Sequence, residues 1–175
     1  MKKKIFGISG WSGSGKTDLI CRLIEFFSKK NITVSTIKHT SHRFSVDKEG
    51  KDSFMHSKKG AYEVIIGGKN KWAMFHNGNK DETVSIDELV NKISKNTDLI
   101  LVEGFKDSKI PKLEVYNSSL GKKALNSKNK TYKAIVYNKL NEQIEKVNKP
   151  KFEFKQTEKI ARFIIKFLKY EKKID

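Results

Sequence analysis

Eight residues near the start of the chain have the types and spacing of a phosphate-binding loop. They run Gly10-Trp11-Ser12-Gly13-Ser14-Gly15-Lys16-Thr17 and match the pattern G-x-x-x-x-G-K-[ST]. Glycines let successive backbone N–H groups turn towards one anion, and a helix that begins just after the loop adds free donors and a positive dipole end. We expect Lys16 to reach the β- and γ-phosphates and the Thr17 hydroxyl to bind Mg²⁺. The residues predicted to bind the nucleotide are Gly10, Ser12, Gly13, Ser14, Gly15, Lys16, Thr17 and Asp18.

A second candidate for the metal is Glu103. It follows the continuous apolar run Leu99–Val102, which is typical of a central parallel strand. An acidic residue at the carboxyl end of such a strand can hold Mg²⁺ or its water, so we expect Glu103 to serve the metal together with Thr17. The alternative is an ordinary charge at a strand end. Asp98 precedes the strand and is interpreted as a loop residue.

The segments around the loop predict an α/β fold. Apolar residues from Ile5 to Ile8, a helical stripe from Leu19 to Phe27 and a strand from Ile32 to Lys38 form a βαβ unit, which implies parallel strands. We expect a mostly parallel, twisted sheet flanked by helices, in a single domain over 1–175 with an inserted antiparallel hairpin at about 62–76. The further predicted elements are a short helix near Asp52–Lys59, hairpin strands Tyr62–Ile66 and Lys71–Phe75, a helix after the capping box Ser85–Glu88, strands Lys112–Tyr116, Tyr132–Tyr137 and Phe152–Phe154, and a last helix capped by Thr157.

Composition limits the class of protein. The net charge is +17, but all except three of the 37 basic residues are lysines, and they are spread along the chain. A solvated surface explains this better than nucleic-acid binding, which makes nucleic acid an unlikely partner. The chain has neither 18 consecutive apolar residues nor a signal-peptide pattern, so we expect a cytoplasmic protein without membrane contact. The one cysteine, Cys21, falls within a predicted helix and is expected to be buried.

Four segments in order carry a resemblance to a known family. They are Gly10–Thr17, Lys38-His39-Thr40, Gly50-Lys51-Asp52-Ser53 and Val102-Glu103-Gly104-Phe105-Lys106. Over nearly its whole length the chain resembles the molybdopterin-guanine dinucleotide biosynthesis adaptor proteins, the MobB family. The resemblance implies a P-loop NTPase fold and a GTP-binding, weakly GTP-hydrolysing homodimer. It also implies partners: a molybdopterin guanylyltransferase, which attaches GMP to the molybdenum cofactor, and molybdoenzyme assembly factors.

The resemblance also assigns roles to residues. Lys16, Glu103 and Asp47 are the expected catalytic residues, and Thr17 and Glu103 the expected metal ligands. Lys38 and His39 are expected to line the neighbouring strand end. The hairpin could lend its edge to a partner subunit.

Departures from related patterns leave alternatives open. Dimeric ATPases of the wider class carry a lysine after the first glycine of the loop, where this chain has Trp11, so efficient hydrolysis is not expected. The run Asn138–Asn141 resembles the guanine-reading N-K-x-D motif without its acid, which leaves Asn138 as a candidate for contact with the base. A small-molecule or nucleotide kinase is the main alternative, although the shortage of arginines argues against it. His42, His56 and Asp52 lack a recognised metal-ligand spacing.

Overall fold

The computed structural model describes residues 3–40, 44, 47–78, 83–125 and 129–170. They form two compact units, one made of Met1–His39 with Ile86–Asp175 and one made of Thr40–Ser85. The predicted hairpin lies in the second unit. The interpretation of the chain as one domain stays a prediction.

The elements follow the predicted alternation of strands and helices. The strands are β1 Lys4–Ser9, β2 Val34–Lys38, β3 Glu63–Gly67, β4 Trp72–His76, β5 Leu99–Glu103, β6 Lys112–Tyr116, β7 Tyr132–Tyr137 and β8 Lys151–Glu153. The helices are α1 Lys16–Lys29, α2 Asp52–Lys58, α3 Ile86–Lys92, α4 Glu142–Glu145 and α5 Thr157–Phe167, with a 3₁₀ turn at Ser118–Leu120. Most bounds differ by one or two residues from those that the apolar pattern predicts.

Six strands of the larger unit form one sheet in the order β2-β5-β1-β6-β7-β8. Every pairing in it is parallel, which confirms the predicted α/β class. Because parallel strands point the same way, their carboxyl ends meet at one edge of the sheet, and this edge carries the loop that follows β1.

Both faces of the sheet are covered because its strands carry apolar side chains on both sides. The stripes of α1 and α5 pack on one face, where Leu23 and Ile164 join Phe6 and Leu101 in a fully buried core. On the other face, Val90 of α3 packs with residues of β2 and β5. A third cluster joins Tyr116, Ile135, Ile144 and Val147 around α4. The central strands are therefore buried on both faces.

The smaller unit contains α2 and an antiparallel ladder of β3 and β4, as predicted. Ile65 pairs with Met74, and Gly67 pairs with Trp72 beside the turn. Ile65, Ile66 and Trp72 are large apolar residues that stay exposed, at 65%, 41% and 68%.

Two local predictions are wrong. Thr157 does not cap α5: it is the first helical residue, and its hydroxyl accepts a hydrogen bond from the Arg22 guanidinium. Cys21 is exposed, because it lies outside the stripe by which α1 contacts the core. Within the described ranges, no helix combines the length and apolar character needed to cross a membrane.

Candidate functional site

The predicted phosphate-binding loop connects β1 to α1, as the sequence pattern requires. Gly10, Gly13 and Gly15 have φ angles of 148°, 74° and 99°, a region that L side chains rarely adopt. At Gly10 a Cβ atom would lie 2.4 Å from the Val115 carbonyl oxygen, so only glycine fits there. Helix α1 begins at Lys16, and the N–H groups of its first turn have no partners within the helix. The loop therefore ends on donors that can face an anion.

Lys16 folds back over this loop. Its Nζ atom donates to the carbonyl oxygens of Gly10 at 3.1 Å and Trp11 at 2.8 Å. Burial lowers the pKa of Lys16, the Glu103 carboxylate opposes that effect, and the charges of Lys106 and Lys38 lower the pKa further. Lys16 is thus a half-buried ammonium group within reach of two further cations and one anion.

Thr17 and Glu103 meet beside the loop. The Thr17 hydroxyl lies 3.3 Å from each Glu103 carboxylate oxygen. Strand pairing causes this approach, since Ile8 of β1 and Lys38 of β2 both lie opposite Glu103. The Lys38 ammonium lies 3.5 Å from the same carboxylate, and the Glu103 side chain is only 13% exposed. A hydroxyl and a carboxylate are oxygen ligands of the kind that Mg²⁺ prefers.

The residues present fit a magnesium-bound nucleotide. Ser14 is buried in the loop, and its hydroxyl oxygen has no hydrogen-bond partner among the described residues. A buried polar atom of this kind is costly unless a ligand or water satisfies it. Together with the donors at the start of α1, the Lys16 ammonium and the Thr17–Glu103 pair, the loop offers one contact for each part of a magnesium-bound phosphate chain.

Comparison with known proteins identifies the family. Residues 5–138 match the family described as "Molybdopterin guanine dinucleotide synthesis protein B". The chain belongs to the MobB family. It is 42% identical over 119 residues to the molybdopterin-guanine dinucleotide biosynthesis adapter protein of Haemophilus influenzae and 36% identical over 118 residues to that of Escherichia coli. These alignments cover 67% of the chain, and 66% and 67% of the two relatives.

Solved MobB structures share the fold. The crystal structure of Bacillus subtilis MobB matches with a TM-score of 0.72 at 26% identity, covering 96% of this chain and 99% of that one. A structure titled molybdopterin-guanine biosynthesis protein B also gives a TM-score of 0.72, at 24% identity, over 94% and 99% of the two chains. The expected family and P-loop fold are therefore confirmed.

The other residues predicted to contact the nucleotide are exposed or make contacts within the protein. Ser12 and Gly13 lie exposed at the tip of the loop. Asp18 forms an ion pair of 2.9 Å with Arg22 one helical turn later. Asn138 makes contacts within the protein: its Oδ1 accepts from the Ser118 N–H at 2.9 Å, and its Nδ2 donates to Asn117 Oδ1 at 2.8 Å.

Asn141, which stands where the N-K-x-D motif has its acid, has a structural role. Asn141 occupies the N-cap of α4, where its Oδ1 accepts from the Ile144 N–H at 3.1 Å. Its Nδ2 donates to the Tyr116 hydroxyl at 3.0 Å. These two contacts explain an asparagine at this position without any contact to guanine.

The remaining predicted residues fall at the strand ends or in the smaller unit. The His39 N–H donates to the Glu103 carbonyl oxygen at 2.9 Å, and its ring lies 4.4 Å from that of Phe105. Asp47 belongs to the smaller unit, where its Oδ1 accepts from the Lys48 N–H at 2.8 Å. His42 lies outside the described residues, as does Arg43, the third arginine of the chain. In the part of the chain that is described, no three or more His, Cys, Asp or Glu side chains cluster as a metal site would require.

Two buried charges on β6 escaped the sequence interpretation. Lys112 and Glu114 are both 0% exposed, although the alternation of polar and apolar residues in K-L-E-V-Y is typical of a strand with one solvent-exposed face. The place of the strand in the sheet could have indicated this burial, because β6 lies between β1 and β7 and crossover segments cover the face of such a strand.

Proposed function

We propose that this chain is a cytoplasmic, GTP-binding adaptor with weak GTPase activity that assists a molybdopterin guanylyltransferase in attaching GMP to the molybdenum cofactor. The observation that carries the nucleotide half is the contact of the Thr17 hydroxyl with the Glu103 carboxylate beside a loop of glycine-dependent shape. Membership of the MobB family supports the adaptor half.

Each group of the loop has a defined task in this proposal. Backbone donors at the start of α1 bind the phosphates, and Lys16 exchanges its contacts with the Gly10 and Trp11 carbonyl oxygens for phosphate oxygens. Thr17 and Glu103 hold Mg²⁺ or its water. Bound Mg²⁺ supplies positive charge that screens the phosphates. Glu103 is the proposed acidic group for hydrolysis, and a catalytic role of Asp47 stays a prediction from the resemblance to the family.

The guanine preference depends on Asn138 and on the family. Asn138 is exposed at the carboxyl end of β7, on the same sheet edge as the loop. Its amide contacts the Asn117–Ser118 turn, so binding of the base would require this surface turn to exchange partners. Asp18, on the exposed side of α1, is a further proposed contact for the nucleotide.

The partners are proposed to include a second copy of the chain. The hairpin exposes Ile65 and Trp72 on one face of the ladder and Ile66 on the other, and exposed apolar side chains on a short two-stranded ladder favour contact with another protein. The relatives are named biosynthesis adapter proteins, which supports interaction with partner enzymes, and we propose the guanylyltransferase and molybdoenzyme assembly factors as those partners.

The two described arginines do not support the kinase alternative. The Arg22 guanidinium contacts Asp18 and the Phe154 carbonyl oxygen, and Arg162 pairs with Glu158 on α5. Neither described arginine is therefore placed to clamp a phosphoryl group in transit.

The adaptor function predicts stimulation of a partner enzyme. Adding the chain and GTP to a molybdopterin guanylyltransferase from the same cell should raise the rate of dinucleotide formation, measured by chromatography of the released cofactor. The Lys29→Ala variant, altered on the exposed end of α1, should stimulate equally. A chain that neither stimulates the enzyme nor co-purifies with it would contradict the adaptor role, and the proposal of nucleotide binding would stand.

Removal of the Lys16 ammonium should weaken triphosphate binding. We expect Lys16→Ala to lose about 1.5–3 kcal/mol of binding free energy, the range for hydrogen bonds to charged groups. Titration calorimetry with MgGTP and MgATP measures the loss, and Lys29→Ala again serves as the control. Equal affinities in both variants would rule out the proposed role of Lys16, and stronger binding of MgATP would rule out the guanine preference.

Neutralising Glu103 should separate binding from turnover. Glu103→Gln keeps the size of the side chain but removes the charge that attracts Mg²⁺, so GTP hydrolysis should fall at least about tenfold while affinity for GTP changes less. Phosphate release at several Mg²⁺ concentrations measures the effect. Glu25→Gln, at an exposed site on α1, is the control. Unchanged hydrolysis in Glu103→Gln would reduce Glu103 to a structural role.

A further inference from the structure

Trp11 is the second residue of the phosphate-binding loop, and both its indole N–H and its ring face make contacts. Its indole N–H donates to the Lys123 carbonyl oxygen at 2.8 Å. The Lys106 ammonium lies 4.4 Å from the centre of its ring, within cation–π range, and the Lys122 ammonium lies 5.8 Å away. Lys106 therefore rests against the loop itself.

The backbone of Lys106 is fixed by a buried charge. Lys112, fully buried on β6, donates from Nζ to the carbonyl oxygens of Phe105 at 2.9 Å, Lys106 at 2.8 Å and Ser108 at 2.7 Å. An ammonium group has three protons, so these three carbonyl groups can use all of its donors. The turn after Glu103 is thereby tied to the interior, including Phe105 at its left-handed φ of 46°.

The opposite side of Trp11 is fixed in the same way. Glu114, two residues along β6 and also fully buried, accepts a hydrogen bond from the Leu125 N–H at 2.8 Å. That contact holds the segment whose Lys123 carbonyl oxygen binds the indole. Residues two apart on a strand share a face, so one face of β6 anchors both segments that hold Trp11.

The Lys106 side chain remains free to change partners although its backbone does not. It is exposed, and a cation–π contact at an exposed site is weaker than a charge-assisted hydrogen bond to phosphate. Its charge acts on the phosphate-binding lysine, since it lowers the pKa of Lys16. The Lys106 ammonium is therefore a positive charge that lies close enough to the phosphate-binding loop to act on it electrostatically.

We propose that Lys106 is a second phosphate-binding cation, held beside the loop by Trp11 and delivered to the terminal phosphate of a bound nucleoside triphosphate. This inference rests on the nucleotide binding proposed above. Trp11 and Lys112 are positioning residues, since they act through Lys106. The arrangement supplies from within the same chain a positive charge that the residue at position 11 cannot provide.

The test compares triphosphate with diphosphate. Lys106→Gln should weaken MgGTP binding about tenfold or more but MgGDP binding less than about threefold, as measured by titration calorimetry. Lys122→Gln, which removes the more distant ammonium over the same ring, should leave both affinities unchanged. Thermal unfolding should be the same for both variants, since both side chains are exposed.

The fluorescence of Trp11 provides a second measurement. The chain has two tryptophans, so the Trp72→Phe variant leaves Trp11 as the sole indole fluorophore. MgGTP should change its emission as Lys106 leaves the ring, MgGDP should change it less, and the difference should disappear in Trp72→Phe/Lys106→Gln.

Three outcomes decide the matter. Selective loss of triphosphate affinity together with the fluorescence difference supports the proposal. Equal affinities of wild type and Lys106→Gln for MgGTP, in a protein whose Lys16→Ala variant binds poorly, overturn it and leave the proposed function standing. Failure of the wild-type chain to bind either nucleotide refutes the proposed function, and this inference with it.

Discussion

Parallel pairing of β1 with β5 is the constraint on which the rest of the candidate site depends. It places Ile8 opposite Glu103, so the loop leaving β1 and the acid ending β5 reach the same edge of the sheet. Pairing of β2 on the other side of β5 adds Lys38 at the same level. A shift of one residue in either ladder would turn Glu103 to the opposite face, away from Thr17. The apolar strands therefore set the geometry of the polar groups.

Two buried charged residues fix the segments beside the phosphate-binding loop. Lys112 and Glu114 occupy a covered face of β6, where an ionised group is costly unless hydrogen bonds satisfy it. Each binds main-chain groups of a neighbouring segment, and these segments contact Trp11 from two sides. The hydrogen bonds that satisfy these buried charges therefore also make the surroundings of the phosphate-binding loop rigid.

The sequence predicted those features that local physics determines. Glycines before Lys16, a continuous apolar run before Glu103 and helical stripes in α1 and α5 led to the fold and to the Thr17–Glu103 pair. Features that depend on tertiary context were not predicted. Cys21 was predicted to be buried but lies outside the core face of α1, and the run Asn138–Asn141 resembles a base reader although its last residue caps α4. The burial of Lys112 and Glu114 was not predicted, because alternating polar and apolar residues normally indicate a strand with one exposed face.

The central claim is that main-chain amides at the start of α1 bind the phosphates of a nucleotide. Nitrogen–proton correlation spectra of ¹⁵N-labelled protein, recorded as MgGTP is added, observe those amides one by one. The account predicts that the largest shifts occur at Gly13 to Thr17, with smaller shifts at Glu103 and Lys106. Saturating MgGTP that leaves the Gly13 to Thr17 signals in place, or moves only signals elsewhere, would contradict it.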